Sequence, residues 1–284
     1  MSEQKWSLML DLDMVSHTYQ TGRKRNADPQ YVLDDVSLQL YEGETLGIMG
    51  RNGVGKTTML RIMAGILAPS AGTVNIAPGK KAALLTLGLG FKPDLSGRDN
   101  AILAAMLQGS SRREAEAFMD SIKEFSELGK AFDQPVKTYS AGMRSRLGFT
   151  TALMTHVDIL LIDEVLSVGD ADFREKALEA MKSRMTGDQT VVFVSHMVEQ
   201  VKKLCNRVIW LDKGKIVMEG ECIEVAQAYT RHIRALREGA SPEEAIQEGK
   251  RLPPKKQAQK NKALEDKSAG GGKKPQNNKA DEEA

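Results

Sequence analysis

The stretch that decides the fold is TLGIMGRNGVGKTTML, residues 45–60. The apolar segment TLGIM predicts a short buried strand, and the residues after 57 have the apolar spacing of a helix. Between them, GRNGVGKT matches GxxxxGK[ST], the pattern of a phosphate-binding loop between a strand and a helix. The glycines let backbone N–H groups turn toward phosphate oxygens, and the helix N-terminus adds its positive end. This stretch therefore predicts a nucleotide phosphate site, with a chance Gly-rich turn as the alternative.

The side chains of this loop have separate predicted tasks. The charge of Lys56 suits the β- and γ-phosphates of a nucleotide, and the hydroxyl of Thr57 suits Mg²⁺. The predicted nucleotide-binding residues of the stretch are Gly50, Asn52, Gly53, Gly55, Lys56, Thr57 and Thr58.

Two later apolar strands end in residues that can act on the same phosphates. The strand ILLIDE, residues 159–164, ends in Asp163, predicted to hold Mg²⁺ through water, and Glu164, predicted to polarise the attacking water. The strand VVFVSH, residues 191–196, ends in His196, predicted to contact the γ-phosphate because ligands bind at the carboxyl edge of a parallel sheet. The alternatives are a strand that merely ends in a polar turn and a structural histidine.

A second anion site is predicted at YSAGMR, residues 139–144, just before an apolar helix. The Ser140 hydroxyl and the Gly142 backbone at a helix start can bind phosphate. Since one such fold has room for one nucleotide, we expect this site to serve the nucleotide of another copy. That arrangement is a head-to-tail dimer with two ATP molecules between the subunits. The alternative is an ordinary serine N-cap.

The composition limits the other function classes. The chain has 284 residues, 41% hydrophobic and 27% charged, and a net charge of +2, which gives no general affinity for nucleic acid. Cys205 and Cys222 form no CxxC pattern, which indicates a reducing compartment. No secretory signal is visible at the N-terminus, and apolar runs stay far below the ~20 residues of a spanning helix. We expect a soluble chain that reaches a membrane only through a partner.

The order of elements predicts a folded domain over residues 1–239. Alternating apolar residues within 1–45 predict strands of a small antiparallel sheet. Continuous apolar strands between helices indicate a parallel sheet covered on both faces. Helical spacing of apolar residues occurs at 99–106, 112–125 and 143–154.

A polar extension, residues 240–284, is predicted to follow this domain and to be largely disordered. Lys, Gln, Asn, Pro and Gly dominate it, so it cannot bury enough apolar surface to offset its ordering entropy. Contact of its lysines with anionic lipid head groups is the alternative.

Together, these motifs resemble the ATP-binding subunit of an ABC transporter over about residues 8–232. The phosphate loop, the YSAGM motif at the family's LSGGQ signature, the Asp-Glu strand end and the histidine occur in the family's order and spacing. The resemblance implies an ATPase with ATP and Mg²⁺ and an α/β fold, a P-loop NTPase cassette. That cassette has a RecA-like mixed sheet core, an antiparallel β subdomain and a helical subdomain at about 93–156. It also implies that Tyr19 stacks on adenine, although Tyr19 could instead be an ordinary aromatic residue of a strand. Asp170 is implied to be the acidic D-loop residue at the dimer seam.

Two departures narrow the resemblance to one branch. The signature reads YSAGM, and the loop LTLGLGFKP, residues 85–93, lacks the family's Gln, for which Thr86 or water is the expected substitute. Together with VGDADF, residues 168–173, and the basic loop at 23–25, these departures resemble the sequences of ATPases that export bacterial cell-surface polysaccharides. The implied function is ATP-driven export of a lipid-linked O-antigen, capsule or teichoic acid across the cytoplasmic membrane.

This branch implies definite partners. A homodimer of the chain would act with two copies of a multi-helix permease, contacted by residues 85–106, on the cytoplasmic face of the bacterial inner membrane. Some members carry a carbohydrate-binding β-sandwich of on the order of a hundred residues, whereas only about fifty polar residues follow Arg231 here. We therefore expect no direct glycan binding and no nucleic-acid partner. The alternatives are an ABC ATPase that exports a drug or lipid and a non-transport ABC ATPase.

Overall fold

A computed structural model of the chain describes residues 7–19, 31–85, 90–155, 157–163, 170–185, 187–195 and 197–251. The strands in these ranges are β1 (Leu8–Thr18), β2 (Tyr31–Tyr41), β3 (Thr45–Met49), β4 (Ala71–Ile76), β5 (Ala82–Leu84), β6 (Ile159–Asp163), β7 (Thr190–Val194), β8 (Arg207–Asp212) and β9 (Lys215–Glu221). The α-helices are α1 (Lys56–Met63), α2 (Gly97–Leu107), α3 (Arg112–Ala117), α4 (Met119–Ser126), α5 (Ala141–Met154), α6 (Ala171–Met185), α7 (Val198–Leu204), α8 (Cys222–Arg237) and α9 (Pro242–Lys250).

The central sheet has six strands in the order β5-β6-β7-β3-β8-β9. Neighbouring strands are parallel from β5 to β8, and β9 pairs antiparallel with β8. Alternate residues of β6 pack into different apolar clusters, Leu160 and Ile162 on one face and Ile159 and Leu161 on the other. The predicted α/β fold, with a sheet buried on both faces, is therefore confirmed.

A second sheet, in the order β2-β1-β4, is antiparallel, as predicted for the N-terminal part. Arg207 of β8 reaches the second sheet beside a largely buried ion pair. The Arg207 guanidinium donates to both carboxylate oxygens of Glu44, at 2.6 and 3.0 Å, and also to the main-chain carbonyl of Gln39. Because Glu44 is only 8% exposed, this pair is largely shielded from water, and the bond to Gln39 links β8 to β2.

The helical part, α2 to α5, differs from the sequence prediction at one place. The continuous helix predicted at 112–125 is two helices, α3 and α4, that meet at Phe118. There the Phe118 N–H bonds to the carbonyl of Ala115, three residues earlier, which tightens the turn. The helices predicted at 99–106 and 143–154 are present as α2 and α5. None of the described helices is both long and apolar enough to cross a membrane.

Helix α9 lies inside the extension that composition alone marked as polar. Ser241 and Glu244 form a capping box at its start, and Ala245 is fully buried against the rest of the fold. Gly249 lies so close to α8 and β8 that an added Cβ would be 2.9 Å from the Ala228 carbonyl oxygen and 3.0 Å from the Trp210 ring. Few apolar atoms are needed for such close packing, so average polarity did not predict it. Residues 252–284 lie outside the described ranges.

We expect Gly249→Leu to lower the free energy of unfolding by about 1–3 kcal/mol, because the new side chain overpacks this contact. Urea unfolding followed by circular dichroism measures the change. The neighbouring Lys250→Leu, at an exposed position, is the matched control. Equal unfolding midpoints for the two variants would contradict the described packing of α9.

Candidate functional site

The phosphate-binding loop follows β3 directly and leads into α1, as predicted. Gly55 has a φ of 108°, and an added Cβ would lie 2.5 Å from the carbonyl oxygen of Val32. At Gly50, an added Cβ would lie 2.4 Å from the carbonyl oxygen of Leu211. Only glycine fits at these two positions, because backbone from β2 and β8 packs against both ends of the loop.

The Lys56 side chain curls back under this loop. Its Nζ donates hydrogen bonds to the carbonyls of Gly50, at 2.8 Å, and Arg51, at 2.9 Å. Burial lowers the pKa of the ammonium, and the negative charge of Asp163 opposes that shift. The loop therefore holds a cation at its centre, where a nucleotide's phosphates would need one.

Thr57 and Asp163 meet across the end of the sheet. The Thr57 hydroxyl donates to Oδ2 of Asp163 at 2.7 Å, so the start of α1 is joined to the end of β6. A hydroxyl and a carboxylate are hard oxygen ligands of the kind that Mg²⁺ takes together with substrate phosphates. The donor set thus fits the predicted metal.

A cavity of about 380 Å³ lies over the loop. Its lining contains Asp163 and every predicted residue of the loop except Gly50, and Val32 is the addition that the sequence did not indicate. The lining residues are Val32, Asn52, Gly53, Gly55, Lys56, Thr57, Thr58 and Asp163.

Tyr19 stands beside this cavity, just after β1. Its hydroxyl is 3.3 Å from the Thr58 hydroxyl oxygen, and its ring is 43% exposed. The buried His17 ring supports it edge-on, with the ring centroids 4.9 Å apart. The contact brings Tyr19 to the phosphate loop with a ring free to stack on a ligand.

The signature motif lies elsewhere on the surface. Ser140 accepts a hydrogen bond from the Met143 N–H at 3.1 Å and so caps α5. Ser140 and Gly142 are both exposed, and neither lines the cavity over the phosphate loop. The serine is an N-cap, and the motif is open to a second molecule.

Asp170 caps α6 in the same way, since its carboxylate accepts the Phe173 N–H at 3.1 Å. It also forms an ion pair with Arg146 of α5. The Phe173 N–H, with a smaller contribution from Arg146, holds the pKa of the Asp170 carboxyl below its ordinary value. No sequence signal indicated Arg146, because its partners lie far away along the chain.

Glu164, His196 and Thr86 lie outside the described residues. The strands that lead to the first two are described, and they are adjacent: β6 pairs with β7, with Asp163 opposite Val194. The predicted proximity of these two strand ends is therefore confirmed, whereas the roles of Glu164 and His196 stay predictions.

We expect Gly55→Ala to abolish nucleotide binding, because the new methyl group collides with the Val32 carbonyl and displaces the loop. Fluorescence anisotropy of a labelled ATP analogue measures the binding. Gly65→Ala is the matched control, since Gly65 also has a positive φ but no atom within 4 Å of an added Cβ. Parent-like affinity in a folded Gly55→Ala variant would contradict the described loop.

The chain is similar to curated proteins named for export. It is 38% identical over 217 residues to the O-antigen export system ATP-binding protein RfbB of Klebsiella pneumoniae, which covers 76% of this chain and 88% of that protein. It is 42% identical over 204 residues to the teichoic acids export ATP-binding protein TagH of Listeria innocua, which covers 72% of this chain. The chain spans 60% of that second protein's length.

Solved structures agree with the fold. A dimeric ATP-binding cassette, MJ0796, in a post-hydrolysis state with ADP and Pi, superposes with a TM-score of 0.61 at 25% identity. The match covers 75% of this chain and 99% of that chain.

The sequence profile of the ABC transporter family matches residues 33–167, the segment that contains the phosphate loop, the signature and Asp163. With the extent of the likeness to RfbB and the geometry of the loop, this match shows that the chain belongs to the ABC transporter family and is one of its ATP-binding, ATP-hydrolysing cassettes.

Proposed function

We propose that two copies of this chain hydrolyse MgATP in shared sites and so drive the export of a lipid-linked cell-surface polysaccharide through a membrane permease. The proposal that each active site is shared between two copies rests on the separation of the two phosphate-binding motifs. The cavity over the loop contains Lys56 and Asp163, whereas Ser140 caps a different helix, Gly142 lies in the first turn of that helix, and both are exposed. A head-to-tail dimer would place the signature of one copy over the nucleotide of the other. The dimeric state of the MJ0796 cassette supports dimerisation.

The described residues have defined parts in this proposal. Lys56 binds the β- and γ-phosphates, and Thr57 and Asp163 hold Mg²⁺, which neutralises charge on the phosphates during transfer. Asn52, the loop glycines and Thr58 surround the phosphates, and Tyr19 stacks on adenine. Glu164 positions and polarises the attacking water, and His196 contacts the γ-phosphate.

A contact surface for the permease is proposed on the helical part. Four large apolar residues there are exposed by more than a third, and exposed apolar residues that cluster mark surfaces that partners cover. They are Leu95 at 37%, Leu103 at 38%, Met106 at 41% and Leu107 at 62%. Three of them belong to α2, which overlaps the region predicted to meet the membrane subunit. Docking there would place the chain at the cytoplasmic face of the membrane.

The cargo is proposed from the relatives. Proteins named for O-antigen export and for teichoic acid export, from different bacteria, match the chain at 38% and 42% identity. The products in both names are cell-surface polymers, so we propose that class of cargo.

The experiment deletes the gene for this chain in its own host. The deletion strain is then complemented with a gene for the parent, for Lys56→Ala or for Glu164→Gln. We expect the deletion to lose surface polysaccharide and to accumulate the lipid-linked polymer inside the cell. The parent should restore export, and both variants should fail because each blocks ATP use. Lys250→Leu, which is remote from the nucleotide cavity, serves as the control and should restore export. Unchanged surface polysaccharide in the deletion strain would exclude this cargo, and an effect on another exported compound would identify a different one.

A further inference from the structure

One side chain outside the nucleotide cavity joins three segments of the fold. The Arg146 guanidinium forms an ion pair with Asp170 and a second one with Glu127, at 3.4 Å. It also lies over the ring of Phe173, 5.0 Å from the ring centre. The Arg146 side chain is 20% exposed, so most of it is packed rather than solvated.

Two of these segments carry motifs that are expected at a dimer seam. Arg146 is on α5, fewer than two turns after the signature residue Ser140. Asp170, the acidic residue of the D-loop and the first described residue after Asp163, caps α6. Glu127 ends α4 with a left-handed backbone, at a φ of 57°. Arg146 therefore bridges the signature helix to the beginning of the next functional segment.

Three packed aromatic rings lie beside this junction. Phe173 is 1% exposed and contacts Phe125 and Phe149 edge-to-face, at centroid distances of 5.9 and 6.1 Å. Next to these rings, Lys176 donates to the Phe125 carbonyl at 3.0 Å and to the Glu127 carboxylate at 2.7 Å. Close-packed groups of this kind have low compressibility and transmit strain, so we expect a shift of α5 to be passed on to the start of α6.

Folding stability alone does not explain why Arg146 pairs with both Asp170 and Glu127. The Asp170 and Glu127 side chains are 61% and 51% exposed, and ion pairs with such exposed partners contribute little to folding. The planar fork of arginine does fix the relative orientation of two carboxylates, which a lysine cannot do with a single ammonium.

We propose that Arg146 is a positioning residue that makes the signature end of α5 and Asp170 move as one body. The inference rests on the proposed dimer, in which both segments face the partner's nucleotide. When the helical part closes on that nucleotide, Arg146 carries Asp170 to the seam in the same step. Without Arg146, the signature end of α5 and Asp170 would reach the seam independently, so ATP hydrolysis would slow. ATP binding to the chain's own phosphate loop would be unchanged.

The test is a double-mutant cycle between Arg146→Met and Asp170→Asn in the full chain. Methionine keeps the apolar stem, and asparagine keeps the N-cap of α6 but removes the charge. The measurements are kcat, ATP affinity and the thermal unfolding midpoint. Arg112→Met, which removes an exposed ion pair with Glu116 on a single helix, is the matched control.

We expect Arg146→Met to lower kcat about tenfold or more, as small misplacements of reacting groups do, with ATP affinity within about twofold of the parent. The double variant should be no slower than the slower single variant, because both changes break one coupling. Arg146→Lys should recover part of the rate, and it replaces Arg146→Met if the latter fails to fold. A parent-like kcat in a folded Arg146 variant, or losses that multiply in the double variant, would overturn the inference. A parent chain that neither binds nor hydrolyses ATP would instead overturn the proposed function.

Discussion

The site depends on the parallel alignment of β3, β7 and β6, because parallel strands end at one edge of a sheet. β7 lies between the other two and pairs with each of them, with Val194 beside both Ile48 and Asp163. The phosphate loop after β3 and the carboxylate at the end of β6 therefore meet. The Thr57–Asp163 hydrogen bond, at 2.7 Å, shows how close this alignment brings residues separated by more than a hundred positions.

The antiparallel sheet completes the site from the other side. Its strand β2 supplies the Val32 carbonyl against Gly55, and the end of β1 supplies Tyr19. Both positions depend on how this sheet sits on the central one, against which it packs through a shared apolar cluster.

Local patterns in the sequence predicted the parts of the site that are local in the chain. The loop with its strand and helix and the strand ending at Asp163 were all predictable from short segments, because backbone and side-chain requirements there are short-range. The order of strands, the contact of Val32 with Gly55 and the bridge of Arg146 to Asp170 were not, since each joins segments that are distant in the chain. Helix α9 was missed for a different reason: a few apolar atoms at close-packed positions count for more than average polarity.

In the proposed dimer, each active site combines the phosphate loop of one copy with the signature of the other. Heterodimers of a Lys56→Ala chain and a Ser140→Arg chain, purified with two different tags, test it directly through their ATP hydrolysis. Each homodimer lacks one half of both sites, whereas the heterodimer has one complete site. Shared sites predict that the heterodimer hydrolyses ATP well above either homodimer. A heterodimer no more active than the two homodimers would contradict the claim.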